Sequence, residues 1–343
     1  MKKIVYIFFL FLCSCLQDVP LPNTPVYKTK SVFIVVMDGA RYSETWGEST
    51  QAYIPRIKNL ASQGVMCTSF WNDGQTVTVP GHTAMTTGNY QVINNGGFEI
   101  PSSPSIFQYY RAQFLKPATD AWVISSKDKL EVLSDCQDAD WKGQFRPRTD
   151  CGVNGNYTGY REDSVTYKHL IDTVKKYRPH LVIVNFKQPD AAGHANNWLE
   201  YVNETKKVDN YVGDLWNYLQ SDFAYAGTTT LFVTNDHGRH LDRVYGGFAA
   251  HGCDCKGCRR IFMLGIGPDF KTNYIETNYY SLVDIPITVA LLIWYSFLEV
   301  ILLKAKRLYL QNLYLFNNAI TVSKLMGINF PNGEGKVMTT ILK

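Results

Sequence analysis

Ser31-Val32-Phe33-Ile34-Val35-Val36-Met37-Asp38-Gly39 is a β-branched and apolar run that ends on a carboxylate followed by glycine. A strand with no alternation of apolar and polar residues is covered on both faces, which is the habit of parallel sheets flanked by helices. Similar runs return at residues 122–124, Leu181–Phe186, Thr229–Thr234 and 261–266, and helical patterns fall between them at 54–63, Asp163–Tyr177 and 206–219. Strand and helix in alternation at that spacing predict a doubly wound, mostly parallel α/β sheet with helices on both faces. In such sheets the working residues gather just past the carboxyl ends of the strands. Asp38 stands at one of them.

The 343 residues are 45% hydrophobic, enough for a large core, and their net charge of +4 comes without a long basic run. Nucleic acid is therefore not an expected partner. At the N-terminus Lys2 and Lys3 precede an apolar run from Ile4 to Leu12, too short for a bilayer and shaped like a secretion signal. Leu12-Cys13-Ser14-Cys15 resembles a bacterial lipobox, which makes residues 1–15 a leader, Cys15 a membrane lipid anchor, and 16–30, with Pro20, Pro22 and Pro25, an extended tether. The expected location is the periplasm or outer membrane of a bacterium; a cleaved signal and a free periplasmic protein is the alternative. Residues 31–343 then form the catalytic domain. Within it, Thr288-Val289-Ala290-Leu291-Leu292 is echoed by Thr321-Val322-Ser323-Lys324-Leu325, so 290–322 reads as an insertion. The apolar run from Ile285 to Leu303 contacts membrane, forms an unusual buried helix or is an anomaly of the sequence, with Glu299 counting against a span. Six further cysteines form an even set: Cys136 and Cys151 could pair, and the Cys253, Cys255, Cys258 cluster suggests a bridge more than a metal site, lacking a second CxxC.

Four segments carry the chemistry when taken together. Asp38 closes the first strand. Thr76-Val77-Thr78-Val79-Pro80-Gly81-His82 opens a helical pattern, placing the Thr78 hydroxyl near a helix N-terminus, where backbone amides favour anions; alone, Thr78 would read as a helix cap. Pro189-Asp190-Ala191-Ala192-Gly193-His194 follows the strand at 181–186 and sets a carboxylate and an imidazole four apart on one face. Asn235-Asp236-His237-Gly238 follows the strand at 229–234, and His251 comes after it. Any one of these could cap a helix or sit on the surface. Together they supply three Asp and three His, a donor mixture suited to zinc and sufficient for two divalent metals around Thr78. Two ions about 4 Å apart clamp both apical oxygens of an in-line displacement, and coordination activates an otherwise poor alcohol nucleophile.

This ordered set resembles the alkaline phosphatase superfamily, and its wording is most similar to the type I phosphodiesterase and nucleotide pyrophosphatase branch. There Thr-x-Pro-x-His carries the nucleophile, while Pro-Asp-x-x-Gly-His and Asp-His-Gly carry ligands. The resemblance covers roughly residues 31–271. It implies that Asp190, His194 and His251 bind one metal and that Asp38, Asp236, His237 and Thr78 bind the other, with His82 packed beneath the nucleophile loop. It also implies an Asn that donates to a phosphoryl oxygen, for which Ile93-Asn94-Asn95-Gly96-Gly97 offers Asn95 ahead of Asn94.

Ser126-Lys127-Asp128-Lys129 follows the strand at 122–124, and alternation aims Lys127 and Lys129 the same way. The pair resembles the Lys-x-Lys of phosphonoacetate hydrolase and the Lys-x-Arg of the family's monoester hydrolases. A monoester carries about two negative charges on phosphorus and a diester one, so paired cations favour the monoester. The expected activity is hydrolysis of small phosphate monoesters. The alternatives are a phosphodiesterase or nucleotide pyrophosphatase, a phosphonate hydrolase, and a surface lipoprotein that keeps the fold only to bind. A sulfatase is disfavoured, since Thr78 cannot mature into the formylglycine that sulfatases use.

Overall fold

A computed structural model describes residues 27–293 and 334–343. The leader with Cys13 and Cys15, most of the tether, and 294–322 of the expected insertion lie outside the described residues.

The strands are β1 (Ser31–Met37), β2 (Val65–Trp71), β3 (Ala121–Ser125), β4 (Arg148–Cys151), β5 (Leu181–Phe186), β6 (Thr229–Thr234), β7 (Arg260–Ile266), β8 (Tyr274–Glu276) and β9 (Tyr280–Ser281). The helices are α1 (Pro55–Ala61), α2 (Thr78–Thr87), α3 (Ile106–Phe114), α4 (Asp163–Tyr177), α5 (Gln188–His194), α6 (Trp198–Ser221) and α7 (Lys256–Arg259). They build one sheet in the order β4-β3-β5-β1-β6-β7-β2-β8, with β9 also on β2. From β4 to β6 every pairing is parallel, whereas β7 runs antiparallel to both β6 and β2. This is the mostly parallel α/β sheet expected from the unbroken apolar runs.

β1 shows why its sequence lacks alternation. Val32, Ile34 and Val36 enter the core on one face while Phe33, Val35 and Met37 enter the core on the other, and all are fully buried. Helices cover each face, so a polar residue at either parity would be stripped of water. The described part of the C-terminus continues this core: residues 284–293 are helical, and the returning segment bonds to them through Lys336 N to Asp284 Oδ1 and Met338 N to Thr288 Oγ1. Among the described residues no helix is long and apolar enough to cross a membrane.

Candidate metal centre and active site

The parallel half of the sheet delivers its functional residues at one edge. Asp38 directly follows β1, Lys127 follows β3, Asp190 and His194 lie in α5 just past β5, and Asp236 and His237 follow β6. Thr78 arrives from the antiparallel half, at the first position of α2 beyond β2. Val77, in extended conformation, is the residue before the helix, so Thr78 is not the cap and its side chain is free to face the acids. α2 is buried at every position and passes so close to Asp236 that a Cβ on Gly81 would lie 2.6 Å from the Asp236 carbonyl oxygen.

The expected ligands converge in two adjoining groups. Asp38, Asp236 and His237 form one and Asp190, His237 and His251 the other, with the donor atoms of each group within 4.8 Å of one another. His237 Nε2 is 3.7 Å from Asp38 Oδ1 and 3.4 Å from Asp236 Oδ2. His194, half exposed at the rim, completes the second group: its Nε2 is 3.4 Å from Asp190 Oδ1 and 3.0 Å from His251 Nε2. His251 Nε2 is in turn 3.4 Å from the same Asp190 oxygen.

Outer hydrogen bonds aim these donors. His237 Nδ1 donates to Gly238 O and His251 Nδ1 donates to Thr76 O, each at 2.9 Å, which leaves both Nε2 lone pairs pointing into the site. Asp236 Oδ1 accepts from the backbone of Gly39 and His237. Its Oδ2 and the His237 Nε2 are buried with no hydrogen-bond partner. Buried polar atoms without partners are rare and costly, and a divalent cation satisfies both; the residues fit the group. Burial pushes His237 down to about 4, and burial together with neighbouring His237 pushes His251 down to about 2, so both imidazoles are neutral near pH 7. Burial, reinforced by Asp38, raises Asp236 to about 7.

Lys127 lies deeper than its place in the sequence suggested. Its ammonium, 4% exposed, donates to Asp38 Oδ1 at 3.0 Å, to Asp190 Oδ2 at 2.7 Å and to Thr78 Oγ1 at 3.0 Å. Burial alone would lower its pKa, but Asp190 and Asp38 outweigh burial and raise it. The same contact bears on both acids: burial raises Asp38 and Asp190, but Lys127 together with the neighbouring imidazoles, and Arg239 at Asp190, outweighs burial and holds each below the usual carboxylate range. Lys129 stands beside this pair with Nζ 3.2 Å from Asn95 Oδ1, and burial followed by repulsion from Lys127 brings it down to about 8. Asn95 also accepts from Val79 N at 2.9 Å, one residue from Thr78. Asn94 instead closes its own turn onto Gly96 N. His82 lies under the loop as expected, bonded through Nδ1 to Thr78 O and through Nε2 to Asn185, which also donates to Asp38.

Two buried residues escaped the sequence reading. Arg239 donates to Asp190 Oδ1 and to the carbonyls of Phe248 and Ala249, tying Asp190 to the turn that leads to His251. Its signal was its place directly after Asp236-His237-Gly238. The other is His240, which joins Cys253, Cys255 and Cys258 in a third group of donors. The cysteine expectations are corrected at the same time. Cys136 and Cys151 are separate buried thiols, the latter donating to Val123 O, and all six described cysteines are free.

A sheet of this order, with carboxylates and imidazoles converging past its parallel strands, is the architecture of the alkaline phosphatase class of metalloenzymes. The family model for the Metalloenzyme superfamily matches residues 30–253, and the chain belongs to that superfamily. It is 23% identical over 253 residues to ectonucleotide pyrophosphatase/phosphodiesterase family member 7 of Mus musculus, covering 66% of this chain and 54% of that protein. The chain thus spans about half the length of the curated relative it matches. Among solved structures it resembles an alkaline phosphatase superfamily protein of Vibrio parahaemolyticus (TM-score 0.58, 15% identity, 81% of this chain and 71% of that one). It also resembles a phosphonate monoester hydrolase of Silicibacter pomeroyi (0.56, 11%, 78% and 73%). A sulfatase of Pseudoalteromonas is similar to the same degree (0.56, 15%, 77% and 67%). At these identities the structures speak for the fold alone.

Proposed function

We propose that the protein hydrolyses phosphoric esters with Thr78 as nucleophile and two divalent metals, and that it prefers small phosphate monoesters. The observation that carries this is the position of Thr78 Oγ1 at a helix N-terminus, 3.0 Å from Lys127 Nζ and beside two donor groups that share His237. Asp38, Asp236, His237 and Thr78 would hold one metal, and Asp190, His194 and His251 the other, zinc suiting their mixture of oxygen and imidazole. When bound, such cations acidify a hydroxyl or a water and neutralise charge on a phosphoryl group.

The chain's own residues supply the rest. Thr78 gives up its hydroxyl proton to solvent as its oxygen attacks phosphorus, the bond to the ester oxygen breaks, and the leaving alcohol takes a proton from solvent; water then attacks the phosphorylated Thr78, which releases phosphate and returns a proton to Oγ1. The α2 amides and the Asn95 side chain would receive a non-bridging phosphoryl oxygen. Lys127 orients the Thr78 hydroxyl, and with Lys129 it meets the second negative charge of a monoester. One observation favours a second reading, a diesterase: the mouse relative bears the name of a pyrophosphatase and phosphodiesterase family. The lipid-anchored, exported form is also proposed, from the Cys15 leader, and is tested by whether Cys15→Ala releases the protein from membranes.

Zinc-loaded protein is to be assayed with p-nitrophenyl phosphate, bis-p-nitrophenyl phosphate, phosphonoacetate and p-nitrophenyl sulfate. A kcat/KM highest on the monoester supports the proposal, and one highest on the diester supports the second reading. Folded, metal-loaded protein that turns over none of them is a binding module.

A further inference from the structure

The cysteine cluster after His251 was expected to close a bridge, yet Cys253 Sγ and Cys258 Sγ are 3.8 Å apart. A disulfide needs about 2.05 Å. In a tetrahedral site with metal–sulfur bonds of about 2.3 Å, two thiolates stand about 3.8 Å apart, so the separation is that of two ligands on one ion. A second observation is independent of the cysteines. His240 is 5% exposed, its Nδ1 donates to Tyr245 O at 2.5 Å, and its Nε2 is buried with no hydrogen-bond partner. That bond fixes the tautomer that leaves Nε2 a lone pair, the arrangement of a metal-ligating histidine. His240 and the three cysteines bring their donor atoms within 4.8 Å of one another. The Cys255 backbone N–H also donates to Cys253 Sγ at 3.3 Å, a contact that favours a thiolate there.

We propose that His240, Cys253, Cys255 and Cys258 bind one structural zinc ion in a closed Cys3His site, distinct from the catalytic metals. Three thiolates and one imidazole with no open position are the donor set of structural zinc. The site ties together the two segments that carry His237 and His251. On one side, Gly238 N donates to Cys258 O and His240 N to Ala250 O. On the other, Thr76 Oγ1 donates to Cys253 O, while Thr76 O accepts from the His251 ring. Zinc here holds His251 against Asp190 and holds the approach to Thr78, and it does so whether or not the proposed ester chemistry is right.

Cobalt tests this in the full chain without any assay of turnover. The catalytic donors are oxygen and imidazole only, so a near-ultraviolet thiolate-to-cobalt charge-transfer band can arise only from cysteine. Cobalt-loaded wild type is expected to show the band, Asp236→Asn to keep it, and Cys255→Ser to lose it together with one equivalent of bound zinc. His240→Cys, which restores four donors, is expected to retain the zinc and strengthen the band, and this covers the case in which Cys255→Ser does not fold. A folded, cobalt-loaded wild type without the band overturns the site. So does a disulfide at Cys253 in peptides mapped without reduction.

Discussion

The Lys127 ammonium donates to the Thr78 hydroxyl from inside the core, at 3.0 Å, while paired to Asp38 and Asp190. A buried cation between two buried acids neutralises them when no metal is bound, and it fixes the hydroxyl in place.

Lys127→Met should therefore destabilise the metal-free protein most. Breaking a buried ion pair by removing one partner costs about 3–5 kcal/mol because the other charge is left uncompensated. The expected result is a large drop in Tm in chelator, mostly recovered on adding zinc. An equal drop in both conditions would assign Lys127 to packing alone.

Thr78→Ala should lower kcat on every phosphoric ester by at least about 10³-fold, the scale of losing a nucleophile. Zinc content by mass spectrometry should stay near wild type, since three other side chains remain in its group.

Lys129 gives the pH dependence. Burial and Lys127 bring its pKa to about 8, so it is charged below that pH and neutral above it. The preference for monoester over diester should fall as pH rises through about 8. Lys129→Arg, which stays protonated, should flatten the fall, and Lys127→Ala with Lys129→Ala should cut monoester turnover far more than diester turnover. A ratio independent of pH in wild type would remove Lys129 from substrate selection.

Gly39 has φ of +65°, and a Cβ there would meet Asp190 Oδ1 at 2.7 Å. Gly39→Ala should cost roughly 1–2 kcal/mol for the left-handed backbone and should also displace Asp190. Zinc affinity by competition with a chromophoric chelator is expected to weaken beyond what the loss in Tm alone would cause.

The strands that the sequence made legible are those buried on both faces: β1, β5 and β6 were read to the residue because nothing polar interrupts them. β2 was not read. Its Val65-Met66-Cys67-Thr68-Ser69-Phe70-Trp71 mixes buried and half-buried positions, and its register shifts between Cys67 and Phe70. Asp38, Asp236 and His237 were legible because they directly follow unbroken strands, and Asp190 with His194 because they stand four apart just past β5. Arg239 and His240 were not, since their roles depend on loops that fold back from residues 248–258, and chain order does not show that return. Depth was likewise invisible at Lys127: alternation along β3 aims Lys127 and Lys129 inward together, and only the packed site shows that Lys127 reaches the acids while Lys129 stops at Asn95.

The antiparallel placement of β2 bears on how the protein comes into being. Met66 pairs with Leu264 and Val32 with Leu181, so the strand that leads to Thr78 and the strand that leads to Asp38 both wait for partners made far later in the chain. Such distant pairings are slow to close. The sheet can therefore seat Thr78 beside Asp38 only once β7 has been made, because β7 is the strand that joins β2 to the parallel half.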